Sequence, residues 1–325
     1  MTQSLTAAPR CANLLMQRWF IFAISGRRHR VTVMVGTAPD SWGVWFANDE
    51  RQVPWQRFLD EVVAAGYDTI ELGPYGYLPT EAAQLGAELD QRGLSASAGF
   101  VMPDVHRDEL WERTREEVIA AGELIASVGG KYLILIPNVY NDLFTGTRMG
   151  NPTLTKSDWQ KLIHGTHRLA EVARAECDLE LVFHPHAETP VEYEHQIERF
   201  LRDSDPTLVS LCLDLGHHAY RGGDAERFIR RHAERISYLH LKNVNPAVRE
   251  QVEQESLPFA RAVERDIFVE PSLGVVDFQS VKRALVDVGY EGYGIVEQDM
   301  YPTSFDRPLP IARRTREYLR GIGIG

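Results

Sequence analysis

Beyond residue 30 the chain alternates between two hydrophobic rhythms. Short runs of β-branched and apolar residues read as buried strands: VTVMVGT (31–37), TIELG (69–73), SASAGFV (95–101), YLILIP (132–137), LELVFHP (179–185), LVSLCLD (208–214), ISYLHLK (236–242) and GYGIVEQ (292–298). Longer segments between them carry apolar residues at i, i+3 and i+4, and several end in glycine, as amphipathic helices do: WQRFLDEVVAAG, TEAAQLGAELDQRG, LWERTREEVIAAGELIASVGG, WQKLIHGTHRLAEVARAE and FQSVKRALVDVGY. Strict alternation of the two predicts a parallel sheet covered by helices. Eight strands in this order predict an α/β fold, the TIM (β/α)8 barrel, with its active site at the C-terminal ends of the strands. A doubly wound sheet is the rival, but no G-x-G-x-x-G follows the first strand, which weakens a dinucleotide-binding version.

Two connections are long, residues 138–158 after the fourth strand and 243–277 after the seventh. Long connections in a compact domain are usually lids or binding loops, and both fall on the expected active face. Residues 1–30 are expected to form a disordered N-terminal extension, and residues 31–325 a single barrel domain. Within that extension the apolar stretch 13–26 is broken by Gln17 and Arg18 and is too short to span a bilayer. SGRRHR follows it in place of a small-residue cleavage site, which argues against a secretory signal.

The chemical signal lies where the strands end. The second ends in Glu71, the fifth in His184 and His186, the sixth in Asp214 with His217 beyond it, the seventh in His240 and Lys242, and the eighth in Glu297. In a barrel these ends converge on one mouth. Carboxylates and imidazoles together suit a divalent cation such as Zn, Mn, Co or Fe(II). Each residue alone says little. A lone histidine is more often a hydrogen-bonded structural residue, Asp214 could simply cap the next helix, and the neighbours His217 and His218 cannot both face one site. Four consecutive strand–helix units ending alike carry the argument. The first loop, GTAPDSWGVWF, is crowded with Trp42, Trp45 and Phe46, which read equally as a packed loop or as the apolar wall of a pocket.

Composition narrows the class. In 325 residues, 44% are hydrophobic and 25% charged, the balance of a soluble globular protein. A formal net charge of −11 argues against a nucleic-acid partner, which needs clustered lysine and arginine. Cys11, Cys177 and Cys212 are too few and too scattered for a disulfide framework, which fits a reducing cytoplasm.

Taken together, GTAPDSWGVWF, ELGPYGYLP, HPHAET, CLDLGHHAY, HLKN, FVEPSLGVVDF and VEQDM resemble the xylose-isomerase-like sugar phosphate isomerase/epimerase superfamily, and within it the inosose dehydratases of bacterial inositol catabolism. The resemblance runs from about Val33 to the end of the chain; the opening motif and LDLGHHAY are its most specific parts. It implies four metal ligands, of which Asp214, His240 and Glu297 match the last three. The first is a departure, because His184-Pro185-His186 stands where a Glu-x-His is usual. His184 is placed in that slot, with His186 as the reverse assignment and Glu188 as a third candidate. Glu188 itself stands where a glycine is expected.

The resemblance further implies Mn or Co as the cofactor, with Zn or Fe as alternatives. It implies a small cyclic keto-polyol, 2-keto-myo-inositol or a close relative, as the partner, with no nucleic acid and no membrane; homo-oligomerisation is left open. Water would be lost through an enediolate. Glu297 would be ligand and base, His186 or His217 the acid, and Lys242 the group that stabilises the enediolate or holds the ketone. Trp42, Glu71 and Glu270 would contact the substrate. The alternative activity is a metal-dependent ketose isomerase or epimerase.

Overall fold

A computed structural model describes residues 32–325; the N-terminal extension expected from the sequence lies outside them. Each of the eight segments read as strands forms a strand of one closed barrel. They are β1 (Thr32–Thr37), β2 (Thr69–Glu71), β3 (Ser95–Val101), β4 (Tyr132–Leu135), β5 (Glu180–Phe183), β6 (Val209–Asp214), β7 (Ile236–Leu241) and, after two short strands described below, β10 (Glu291–Val296). All neighbours pair in parallel, and β10 closes onto β1 with Thr37 opposite Val296. The strands are buried on both faces because helices cover the outside, which is why their sequences are apolar throughout. Helices Trp55–Ala65, Ala82–Arg92, Trp111–Ser127, Lys156–Cys177 and Phe278–Val288 coincide with the five helical patterns. Several are capped at both ends: Asp277 accepts from the Gln279 amide at 2.9 Å, and Gly289 ends that helix in the left-handed conformation.

Two strand registers shift just before functional positions, between Ile70 and Glu71 on β2 and between Leu211 and Cys212 on β6. Such irregularities re-aim the side chains that follow. The connection after β7 is more ordered than a loop. It holds β8 (Asn243–Val244) and β9 (Phe268–Val269), paired antiparallel, and between them helices Pro246–Glu255 and Phe259–Glu264. Asn243 knits this unit together. Its Nδ2 donates to the carbonyls of Pro271 and Val276, and its Oδ1 accepts from the Val276 amide at 2.8 Å. A Cβ at Gly274 would fall 2.2 Å from that Oδ1, so only glycine passes there.

Candidate active site and metal centre

The β6–β7 register sets Asp214 opposite His240, and the β7–β10 register sets His240 opposite Ile295, two residues before Glu297. His184 follows β5 immediately. The four side chains meet at the C-terminal mouth, and their ligand atoms all lie within 4.8 Å of one another. His240 Nδ1 is 3.0 Å from Glu297 Oε2, 3.1 Å from His184 Nε2 and 3.4 Å from Asp214 Oδ2, while His184 Nε2 is 3.6 Å from Asp214 Oδ2. An ion bonding tetrahedral ligands at about 2.0–2.1 Å separates them by about 3.4 Å, so the spacing is that of a coordination shell. Asp214 Oδ2 and His184 Nδ1 are buried without a bond of hydrogen-bond geometry; the carboxylate oxygen is ion-paired with Lys242 at 3.1 Å and still turned to the cluster, where a bound cation would add a partner. The donor set therefore fits a divalent cation.

Asp214 caps a helix and still faces the cluster. Its Oδ1 accepts from the His217 amide at 2.8 Å and caps the short helix Leu215–Tyr220, leaving Oδ2 for the cluster. The two adjacent histidines diverge: His217 lines the cavity, whereas His218 points away to Glu194 at 3.2 Å.

Lys242 is the hub of the charges. Its Nζ lies 2.8 Å from Glu297 Oε2, 3.0 Å from Asp299 Oδ2, 3.1 Å from Asp214 Oδ2 and 3.3 Å from His217 Nε2. Burial alone would discharge the amine, but Asp214, Asp299 and Glu297 outweigh it and hold the ammonium well above its usual range. In return, against the pull of burial, Lys242 above all holds the Asp214 carboxylate well below the usual range. Burial and then His184 push His186 down to about 3; burial, His186 and Lys242 push His217 down as well. This turns round the expectation of His186 or His217 as the acid. Both shifts favour the neutral imidazole near pH 7 in the metal-free protein. The two ring centroids are 3.8 Å apart with the planes tilted by 41°, and His186 Nδ1 lies on the Ala187 carbonyl.

Other expectations are corrected by packing. Glu188 does not reach the ligand cluster: its backbone is left-handed (φ 65°), which explains why a glycine suits that position, and its carboxylate pairs with Arg221 at 3.0 Å. Glu270 is held by Arg314, whose Nε lies 3.2 Å away, and is not among the cavity walls. Trp42 is fully buried beneath helix Trp55–Ala65, donating to Glu61 at 2.8 Å with its ring edge-on to Phe58. The wall expected from the first loop is supplied by Trp45 and Phe46. Glu71 borders the cavity, but its carboxylate is committed to His240 Nε2 at 2.8 Å, turning Nδ1 toward the cluster.

The cavity over the cluster measures about 190 Å³. Leu143 and Phe259 roof it, so both long connections do reach the active face. Two acids were missed from the sequence. Asp299 pairs with Lys242 and accepts from Trp45 Nε1 at 3.1 Å, and Asp40 faces the cavity from the first loop. Burial pushes both carboxyls up, reinforced at Asp40 by Glu297 and Asp299. Asp299 had a signal: extended backbone sends residues i and i+2 the same way, so 297 and 299 pair as 184 and 186, or 240 and 242, do.

A closed parallel barrel with its ionisable groups gathered at the C-terminal mouth defines a TIM-barrel enzyme. The chain belongs to the xylose isomerase-like TIM barrel family, matched over residues 59–322. It is 31% identical over 294 residues to the inosose dehydratase of Geobacillus kaustophilus (strain HTA426), covering 88% of this chain and 93% of that protein. It is 29% identical over 296 residues to that of Geobacillus thermodenitrificans (strain NG80-2), covering 89% and 96%. Among solved structures, the fold is shared with the IolI protein with a binding zinc atom (TM-score 0.66, 17% identity, covering 88% and 98%). It is shared too with D-psicose 3-epimerase with D-tagatose from Clostridium cellulolyticum H10 (TM-score 0.67, 14% identity, covering 89% and 99%). With enzymes of one name matching along nearly all of its described length, the chain is an enzyme. No helix among the described residues is long and apolar enough to cross a membrane.

Proposed function

We propose that the enzyme removes water from a small cyclic keto-polyol, 2-keto-myo-inositol or a close relative, with a divalent cation held by His184, Asp214, His240 and Glu297. The observation that carries this reading is the ligand-spaced cluster with Lys242 against it, in a chain whose curated relatives are inosose dehydratases. When bound, the cation polarises substrate oxygens and acidifies the C–H beside a carbonyl. Two imidazoles and two carboxylates favour Mn, Co, Zn or Fe over Mg.

The chain's own groups supply the rest. Glu297, kept ionised by His240 and Lys242 against the pull of burial, accepts the proton from the carbon beside the ketone. The Lys242 ammonium balances the negative charge that develops on the ketone oxygen. His186 and His217, both neutral, hydrogen-bond ring hydroxyls, and the proton taken up by Glu297 passes to the departing hydroxyl, which leaves as water. Trp45 and Phe259 close an apolar wall that limits water. His184 in place of a carboxylate makes the two sides of the cluster unlike. That asymmetry favours one-way elimination over the symmetric proton exchange of an epimerase.

The test is proton NMR of 2-keto-myo-inositol incubated with enzyme and Mn or Co in D2O, quenched and stripped of metal. Cation-dependent loss of ring signals and growth of a deoxy-dione is the expected result. Deuterium entering one carbon without loss of water would replace this reading with epimerase or isomerase chemistry.

A further inference from the structure

Directly beneath the ligand cluster lies a thiol that the chemistry above leaves unused. On β6, Cys212 and Asp214 are two residues apart and point the same way. On β7, so do Tyr238 and His240, and the register pairs Cys212 with Tyr238 as it pairs Asp214 with His240. Cys212 is therefore one layer down in the barrel interior, fully buried among Ile134, Val182, Tyr238 and Ile295. Its sulfur is within ligand range of the same two imidazoles. The Cys212 Sγ and one nitrogen each of His184 and His240 lie within 4.8 Å of one another, a second metal-capable set that shares two members with the first without merging into it. A tetrahedral ion with sulfur at about 2.3 Å and nitrogen at about 2.0–2.1 Å needs a separation of about 3.6 Å, within reach of small side-chain shifts. His184 is 1% exposed and its Nδ1 has no partner, so no outer hydrogen bond fixes its ring against such a shift.

We propose that Cys212 is an alternative ligand, which gives thiophilic divalent ions a second position sharing His184 and His240 with the oxygen-rich one. This rests on the reading that a divalent cation occupies the cluster. On binding, the S–H bond breaks, a metal–sulfur bond forms and the proton passes to solvent; nothing is oxidised or reduced. An ion drawn to the sulfur moves away from the Asp214 and Glu297 side, whereas an ion that prefers oxygen stays beside them. His184 in the slot of a usual glutamate strengthens the effect by removing one hard ligand from the productive position. The two positions thus sort cations by softness.

The test is titration of the metal-free full-length enzyme with cadmium, read by near-ultraviolet absorbance and by metal analysis after desalting, in wild type, Cys212→Ala and Cys212→Ser. Expected is one retained cadmium per chain, with a sulfur-to-cadmium charge-transfer band that both variants lose. Cadmium affinity should fall by about tenfold or more in the variants while manganese affinity stays within about twofold. Circular dichroism identifies folded variants, and the serine variant serves if the alanine one does not fold. Retained cadmium with no charge-transfer band, or a band that survives in both variants, would overturn the proposal and leave the cation site standing. An enzyme that retains neither cadmium nor manganese would overturn the cation reading, and this proposal with it.

Discussion

Two layers of one barrel, separated by a single step along the strands, are built on opposite principles. In the lower layer Ala98, Ile134, Val182, Cys212, Tyr238 and Ile295 fill the interior, and the Tyr238 hydroxyl meets Ser97 Oγ at 2.7 Å. That layer is held by apolar burial and close packing, and each side chain contributes by its own shape. In the upper layer Asp214, His240, Lys242, Glu297 and Asp299 are almost as buried, yet they are stable there only as a set. Each charge has lost its water and is compensated by neighbours about 3 Å away. The lesson is that equal burial does not mean equal tolerance. A change below costs the atoms removed, whereas a change above leaves other charges unpaired. Buried ion pairs are weak devices for stability alone, so an upper layer of this kind is kept for chemistry.

The contrast can be broken most sharply at Glu297. Glu297→Gln keeps the shape but loses the base, and turnover should fall by roughly 10²–10⁴-fold. A variant with full turnover and full metal content would remove Glu297 from the mechanism. Next, Lys242→Met leaves three carboxylates facing one another. Denaturant unfolding of the metal-free protein should show a loss of about 3–5 kcal/mol. A loss no larger than that of a lower-layer truncation would erase the distinction between the layers. Glu71→Gln comes third, because it acts only through the His240 ring. Cation affinity measured by calorimetry should fall about 10–100-fold, and unchanged affinity would mean that His240 is oriented by something else.

The response to pH sharpens the comparison further. Desolvation, and after it the neighbouring His184, lower the half-buried His186 imidazole to about 3 in the folded, metal-free protein. Its unfolded value is about 6.5. The unfolded chain therefore takes up the proton first: the contribution of this group to stability is complete above about pH 6.5 and is lost as pH falls toward about 3. Melting temperature should decline across that window, and His186→Asn should flatten the decline. A wild-type curve that stays level between about pH 6.5 and 5 would count against a neutral imidazole at this position. The smallest effect belongs below: Ile134→Val should cost about 0.5–1.5 kcal/mol. It should move the whole pH curve without changing its form, and a changed form would show that the layers are coupled.

Much of this was legible in the chain. The period-2 and period-3.6 patterns located all eight barrel strands and five of the covering helices, because burial on both faces or on one leaves a direct mark on residue choice. That His184, Asp214, His240 and Glu297 would meet could be expected because a barrel brings strand ends together whatever the loops do; singling these four out as a set came from the family resemblance. Asp299 was overlooked although its spacing from Glu297 repeats that of two pairs already identified. The errors fall where direction is set by neighbours far along the chain. Trp42 and Trp45 stand in the same short motif, but Glu61 and Phe58 claim the first, and Asp299 and Tyr301 claim the second. Glu188 and Glu270 had the right chemistry and were taken by Arg221 and Arg314.

By itself, then, the sequence determined the barrel, its family and the set of strand ends that meet at one mouth, since these depend on local periodicity and on a topology with few solutions. Only the tertiary structure decided which acids face the cavity, which imidazoles stay neutral, and that Cys212 lies under the cluster. Those outcomes depend on distances of 3–5 Å between residues up to 254 positions apart. Coulombic and desolvation energies change steeply over that range, and no pattern along one strand records them.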